Sequence, residues 1–264
     1  MTKLLTIAGS DTLSGGGLQA DLRTFREYDI IGENVLTCVV TMNQETKDIK
    51  IEELPMPVIS DQLLEAEQRL ETYQGIKVGM LANLATAQAV AAFLEKVDTV
   101  PIVLDPVLAL KESGLTTSQD IVAYFTDTLL PLATITTPNL HEAELLSGMT
   151  NIDTIEKMIL AGKKIQSYGV PYVVVKGGLR MPGTEAIDVL VTPDKESIYR
   201  SDKLHSGFNN GAGCTFASAI AAEMVSNDNM SDVIQASKDF VYRSIENGVD
   251  FMDGLGNVWQ KGKS

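Results

Sequence analysis

Short apolar runs alternate along the chain with stretches of helical period. Residues 3–8 form the first apolar run, a strand, and residues 17–28 bring Leu18, Leu22 and Phe25 onto one helical face. Residues 35–42, rich in β-branched side chains, predict a buried strand. The pattern then gives a helix over 58–73, a strand at 75–80, a helix over 84–97 and a strand at 100–104 ending in Asp105-Pro106. A helix near 118–130 follows, then a strand at 133–136, helices at 140–146 and 154–168, and a strand at 171–175. Residues 186–192 and 196–200 flank a Pro-Asp-Lys turn and predict an antiparallel pair. The last helices are expected at 214–225 and 231–247. With no internal repeat, low-complexity tract or linker, residues 1–264 read as one domain. The alternation implies an α/β fold, a mostly parallel central sheet with helices on both faces.

Composition narrows the partners. Hydrophobic residues at 44% and charged ones at 21% fit a soluble globule with a sizeable core. A net charge of −14 and a pI near 4.5 argue against nucleic acid or an anionic membrane. An anionic substrate must then be drawn in by local dipoles, a lysine or a metal. Cys38 and Cys214 lie far apart and suggest no disulfide framework, so a reducing cytoplasm fits. No signal sequence precedes the first strand, and no apolar run approaches the ~20 residues of a membrane span.

The most informative chemistry lies in residues 207–223. Gly211 and Gly213 permit a tight turn, and an Ala-rich helix follows. Such a turn presents unpaired N–H groups and the positive helix end together, an anion site suited to phosphate. Cys214 stands in that field, where a thiol pKa is expected to fall and a base or nucleophile becomes available. The plainer alternative is a buried small residue after a glycine turn.

In parallel sheets ligands gather beyond the carboxyl ends of the strands. Asp105, Asn139, Glu142 and Lys176 all fall there. Asn139 and Glu142 are three apart on a helix start, and oxygen ligands of this kind suit Mg²⁺. Lys176 can meet a phosphate as a point charge. Each also has a local role open to it: a turn for Asp105, an N-cap for Asn139, a capping-box acid for Glu142, a solvated loop for Lys176. Other patterns mislead. Gly15-Gly16-Gly17-Leu18-Gln19-Ala20 matches a dinucleotide-binding turn, but six residues separate Ala8 from Gly15 and the next strand ends in Met42-Asn43 with no acid for a ribose. Gly262-Lys263-Ser264 imitates a P-loop end, with Asn257 at the first glycine position. The two histidines, His141 and His205, have no metal-ligand partner at familiar spacing.

Taken in order, these residues resemble the vitamin-kinase branch of the ribokinase superfamily. The resemblance rests on Ala8-Gly9-Ser10-Asp11, Gly15-x-Gly17-Leu18-Gln19-Ala20-Asp21, Lys77-Val78-Gly79-Met80-Leu81 and Leu104-Asp105-Pro106-Val107. Thr137-Pro138-Asn139-Leu140-His141-Glu142, Val175-Lys176-Gly177-Gly178 and Gly211-Ala212-Gly213-Cys214-Thr215-Phe216 complete it. It implies a three-layer αβα sandwich, ATP with Mg²⁺ as donor, and phosphoryl transfer to a hydroxymethyl group on a small heterocyclic vitamin by a homodimer. It assigns Gly211, Ala212 and Gly213 to an anion hole, and Cys214 to the catalytic base. Asp105 and Glu142 are assigned to Mg²⁺, partly through water, and Asn139, Glu142, Lys176, Gly178 and Gly213 to ATP. Asp11, Gly16, Met42 and Gly79 are assigned to the substrate. Two departures stand out. Asn209-Asn210 replaces a threonine and a histidine common in relatives, and Val107 to Lys111 lacks a second cysteine. Met42, where pyrimidine kinases carry glutamine, points to pyridoxal; the runners-up are a hydroxymethylpyrimidine kinase and a non-catalytic nucleotide binder.

Overall fold

In the computed structural model, residues 1–43, 45–46, 48–98, 100–108, 119–204, 206–252 and 255–261 are described. The expected helix start at Ser118, His205, the 109–111 part of the loop after Asp105 and the 262–264 tail lie outside them.

Adjacent strand residues part to opposite faces, and this alternation builds two cores. Leu5, Ile102, Leu104, Val173, Val175, Val189 and Val191 pack into one, while Leu4, Val103, Val174 and Leu190 pack into the other. The strands are β1 (Lys3–Asp11), β2 (Ile31–Met42), β3 (Ile49–Glu53), β4 (Ile76–Val78), β5 (Ile102–Leu104), β6 (Ile135–Thr136), β7 (Tyr172–Lys176), β8 (Glu185–Val191) and β9 (Glu196–Asp202). They form one nine-stranded sheet in the order β3-β2-β1-β4-β5-β6-β7-β8-β9. β2, β1, β4, β5, β6 and β7 pair in parallel in that order, whereas the β2–β3, β7–β8 and β8–β9 pairs are antiparallel.

The first core is covered by α2 (Met56–Glu67), α3 (Leu84–Leu94), α6 (Leu140–Ser147) and α7 (Ile155–Gln166), with α4 (Gln119–Tyr124), a π-helical turn (Phe125–Leu129) and α5 (Leu130–Leu132). The opposite core is covered by α1 (Gly17–Glu27), α8 (Ala212–Glu223) and α9 (Met230–Glu246). This is the expected αβα sandwich. The chain leaves β1 toward β2 through α1 and later returns to the other side of β1 with β4. Helices on opposite faces therefore diverge beyond the carboxyl ends of β1 and β4 and open a crevice there.

Several boundaries differ from the sequence pattern. β1 continues to Asp11 through a register shift between Ala8 and Ser10. The helix expected over 58–73 ends at Glu67, and a 3-10 turn (Leu70–Thr72) follows. α8 begins at Ala212, two residues before the expected start at Cys214. β3 was not expected, because Lys50, Glu52 and Glu53 mask an edge strand. A hairpin of β10 (Val249–Met252) and β11 (Leu255–Asn257) was also missed; its strands are too short to show a period. Among the described residues no helix is long and apolar enough to cross a membrane.

Candidate active site

The glycine turn meets the loop after β1. Gly211 is the N-cap of α8 with φ 86°, and a Cβ there would overlap the carbonyl oxygen of Gly15. Glycine is required on both counts. Asp11 shapes the facing loop: its Oδ1 accepts from Leu13 N (2.9 Å), and its Oδ2 from Gly15 N (3.0 Å) and Gly16 N (2.8 Å). Both carboxylate oxygens of this expected substrate residue are thus engaged by the loop. A Cβ at Gly16 would lie 3.7 Å from Cys214 Sγ and 3.8 Å from Asp11 Oδ2. Gly17 N–H donates to Cys214 Sγ at 3.4 Å. The dinucleotide-like glycines therefore close onto Asp11 and the cysteine.

Lys176, at the end of β7, reaches the same turn. Its Nζ would be 3.5 Å from a Cβ on Gly213, and it donates to Asp105 Oδ1 at 3.0 Å. Thr137 Oγ1 donates to that oxygen too, at 3.0 Å. Burial opposes the charge on Asp105, yet Lys176 and Lys77 together hold its carboxyl below the usual range. Burial likewise opposes the Lys176 ammonium, but Asp105 and Glu142 raise it above the ordinary lysine value. The four residues expected at the sheet edge are thus brought together, with Asn139 and Lys176 in a bridge.

Three expectations need correction or refinement. The first concerns Cys214, whose thiol is pushed up to about 11 rather than lowered. Burial is the main cause; Lys77 draws it down, while Asp21 and Asp105 push it up. The helix field is present, but packing and two carboxylates outweigh it. The second concerns Asn139 and Glu142, which form a complete capping box on α6. Asn139 Oδ1 accepts from His141 N (2.9 Å) and Glu142 N (3.1 Å), and Glu142 Oε2 accepts from Asn139 N (2.8 Å). The third is that Ala212 N–H already donates to Asn209 O at 3.2 Å. The first-turn donors left without an intrahelical acceptor are then those of Gly213 and Cys214.

The other expected residues spread around this centre. Gly79 follows β4, and a Cβ on it would stand 2.7 Å from Lys77 Nζ. Met42 ends β2 and is half-buried; Gly178 is exposed, with φ 52° and open space where a Cβ would be. His141 is an exposed neighbour of Glu144.

Sequence reasoning missed Asp21 and Lys77 as individuals. Lys77 Nζ and Asp21 Oδ2 are 2.8 Å apart, and both side chains are fully buried. A lysine inside the apolar strand Ile76–Val78 was the signal that could have exposed the pair. It also missed the brace behind the turn. Asn210 Nδ2 donates to Asn257 Oδ1 (2.8 Å), Asn257 Nδ2 to Leu13 O (2.8 Å), and Gln260 Nε2 to Thr215 Oγ1 (2.8 Å).

Relatives place this chain in a known class. A pyridoxine kinase of Bacillus subtilis is 34% identical over 247 residues, 93% of this chain and 91% of its own. The structure of the pyridoxal kinase from Staphylococcus aureus in complex with AMP-PCP and pyridoxal matches with a TM-score of 0.91 at 34% identity, covering 98% of this chain and 93% of that one. A hydroxymethylpyrimidine/phosphomethylpyrimidine kinase of Haemophilus influenzae is 32% identical over 262 residues, 97% of this chain and 96% of its own. Fold and site thus define a kinase, a transferase acting on an alcohol group, with the ribokinase-like fold. Residues 11–259 match the family model described as phosphomethylpyrimidine kinase, and the chain belongs to that family. The dinucleotide-binding and non-catalytic readings fall away with it.

Proposed function

We propose that residues 1–264 act as one kinase domain that transfers the γ-phosphoryl of ATP to the 5′-hydroxymethyl group of pyridoxal, and of related B6 vitamers. The observation that carries this reading is the meeting of Cys214 Sγ, the first turn of α8 and Lys176 Nζ at one sheet edge. The substrate hydroxyl lies against Cys214, whose sulfur takes its proton as the oxygen attacks phosphorus and the bond to ADP breaks. Phosphoryl transfer through a loose transition state asks little of a base beyond late proton acceptance. The N–H groups of Gly213 and Cys214 stabilise charge on the transferred group, and Lys176 holds the phosphates. Asp105 and Glu142 converge on Lys176 without a cluster of three metal-binding side chains among the described residues. Asp105 and Glu142 would hold the Mg²⁺ of the nucleotide, which would neutralise charge on the phosphates.

The role of Lys176 gives a direct test. Lys176→Ala is expected to raise KM for MgATP about 10- to 100-fold, the range for a lost charged hydrogen bond, with pyridoxal binding retained. An unchanged KM would reduce Lys176 to a partner of Asp105.

Met42 supports pyridoxal over the pyrimidine, because a thioether contacts a pyridine ring without needing a polar partner. The second reading, a hydroxymethylpyrimidine kinase, has the family description and the Haemophilus influenzae relative in its favour. Competition between the two substrates separates them. The wild type should prefer pyridoxal, and Met42→Gln should move the kcat/KM ratio toward the pyrimidine by about 5- to 150-fold. A wild type that prefers hydroxymethylpyrimidine to every B6 vitamer would sink the pyridoxal reading.

A further inference from the structure

A fully buried ion pair lies under the catalytic turn, and the phosphoryl-transfer steps above leave it without a task. Ser218 stands four residues after Cys214 on the same face of α8. Its Oγ donates to Asp21 Oδ1 at 2.7 Å. Asp21 Oδ2 accepts from Thr6 Oγ1 (2.6 Å) and from Lys77 Nζ (2.8 Å). Both Asp21 oxygens are thereby engaged, and Asp21 ties Lys77 to Ser218 on the face of α8 that also carries the cysteine. The ammonium lies toward the carboxyl end of β4, since a Cβ on Gly79 would crowd Nζ. That is the crevice end of the sheet.

We propose that Lys77, held by Asp21, is the counter-cation for the Cys214 thiolate and positions the negative charge of the base. This rests on Cys214 acting as the base. A buried ion pair is a poor stabilising device, because desolvation of two charges offsets their attraction. A lone thiolate in the same place would carry a large burial penalty, and a preplaced ammonium relieves it. Asp21 competes for the same cation, so the pair sets how readily the thiol ionises. The other charges around Cys214 are Asp105 after β5, Lys176 of β7 near Gly213, and Asp11 across Gly16. Among these influences Lys77 draws the thiol down most, and Asp21 opposes it.

Alkylation by iodoacetamide across a pH series, read by mass mapping of the Cys214 peptide, tests the pair without interference from Cys38. Asp21→Asn frees the ammonium and should lower the alkylation midpoint by about one pH unit. Lys77→Met should raise it by a similar amount. The alkaline limb of kcat should move in the same two directions. A merely structural pair would lower the melting temperature in both variants without opposite shifts, and that outcome overturns the proposal. Should Lys77→Met fail to fold, Asp21→Asn decides alone, and an unchanged or higher midpoint overturns the pairing. Full turnover in Cys214→Ala would instead remove the base assignment. Loss of turnover there with unmoved midpoints would remove only the role of Lys77.

Discussion

Cys214→Ala is expected to lower kcat by roughly 10²–10⁴-fold while MgATP still binds, the range for a lost general base. The pH dependence follows from the direction of the thiol shift. The active form is the thiolate, and burial pushes the thiol up to about 11. The thiolate fraction therefore grows with pH across the neutral range, and kcat should climb toward alkaline pH. In Cys214→Ala that climb should disappear. A variant with wild-type turnover, or one that keeps the same alkaline limb, would end the role of Cys214.

Gly211→Ala should have a comparably large effect by a different route. The residue sits at φ 86°, and the atom that a Cβ would strike is the backbone oxygen of Gly15, which cannot rotate away. Either the turn or the loop must move, and a shift of about 1 Å at a reacting centre removes about 10²-fold in rate. The strain should also lower stability by about 1–3 kcal/mol. Gly213→Val supplies the contrast: its Cβ would meet only Lys176 Nζ at 3.5 Å. It should unfold near the wild-type temperature yet lose MgATP turnover, because the side chain enters the phosphate site. Equal melting temperatures in Gly211→Ala and the wild type would contradict the clash.

The central sheet was legible because its strands are short apolar runs buried on two faces, as in Ile76–Val78 and Ile102–Leu104. The convergence of Asp105, Asn139 and Lys176 was also legible, since each ends or follows a parallel strand. What linear pattern hides is the partner. Asp21 and Lys77 meet across 56 residues, and neither shows its burial until α1 lies over β4. The sign of the Cys214 shift was misread for the same reason. A glycine turn reveals a helix end, but not the carboxylates that α1 and β5 bring beneath it. Glu142 was ambiguous in sequence, because three-residue spacing suits a capping box and a ligand pair equally.

The bonds from Asn257 and Gln260 to Asn210, Leu13 and Thr215 set an order in which the protein can become active. A ribosome makes the whole nine-stranded sheet by residue 202 and the cysteine turn by residue 214, yet the brace for that turn comes more than 40 residues later. Domains begin to fold while synthesis continues. A chain interrupted before Asn257 would hold the strands of the sheet and Cys214 without the clasp that closes the turn. Closure of the turn therefore waits on Asn257 and Gln260, which emerge only after the sheet and the turn they brace.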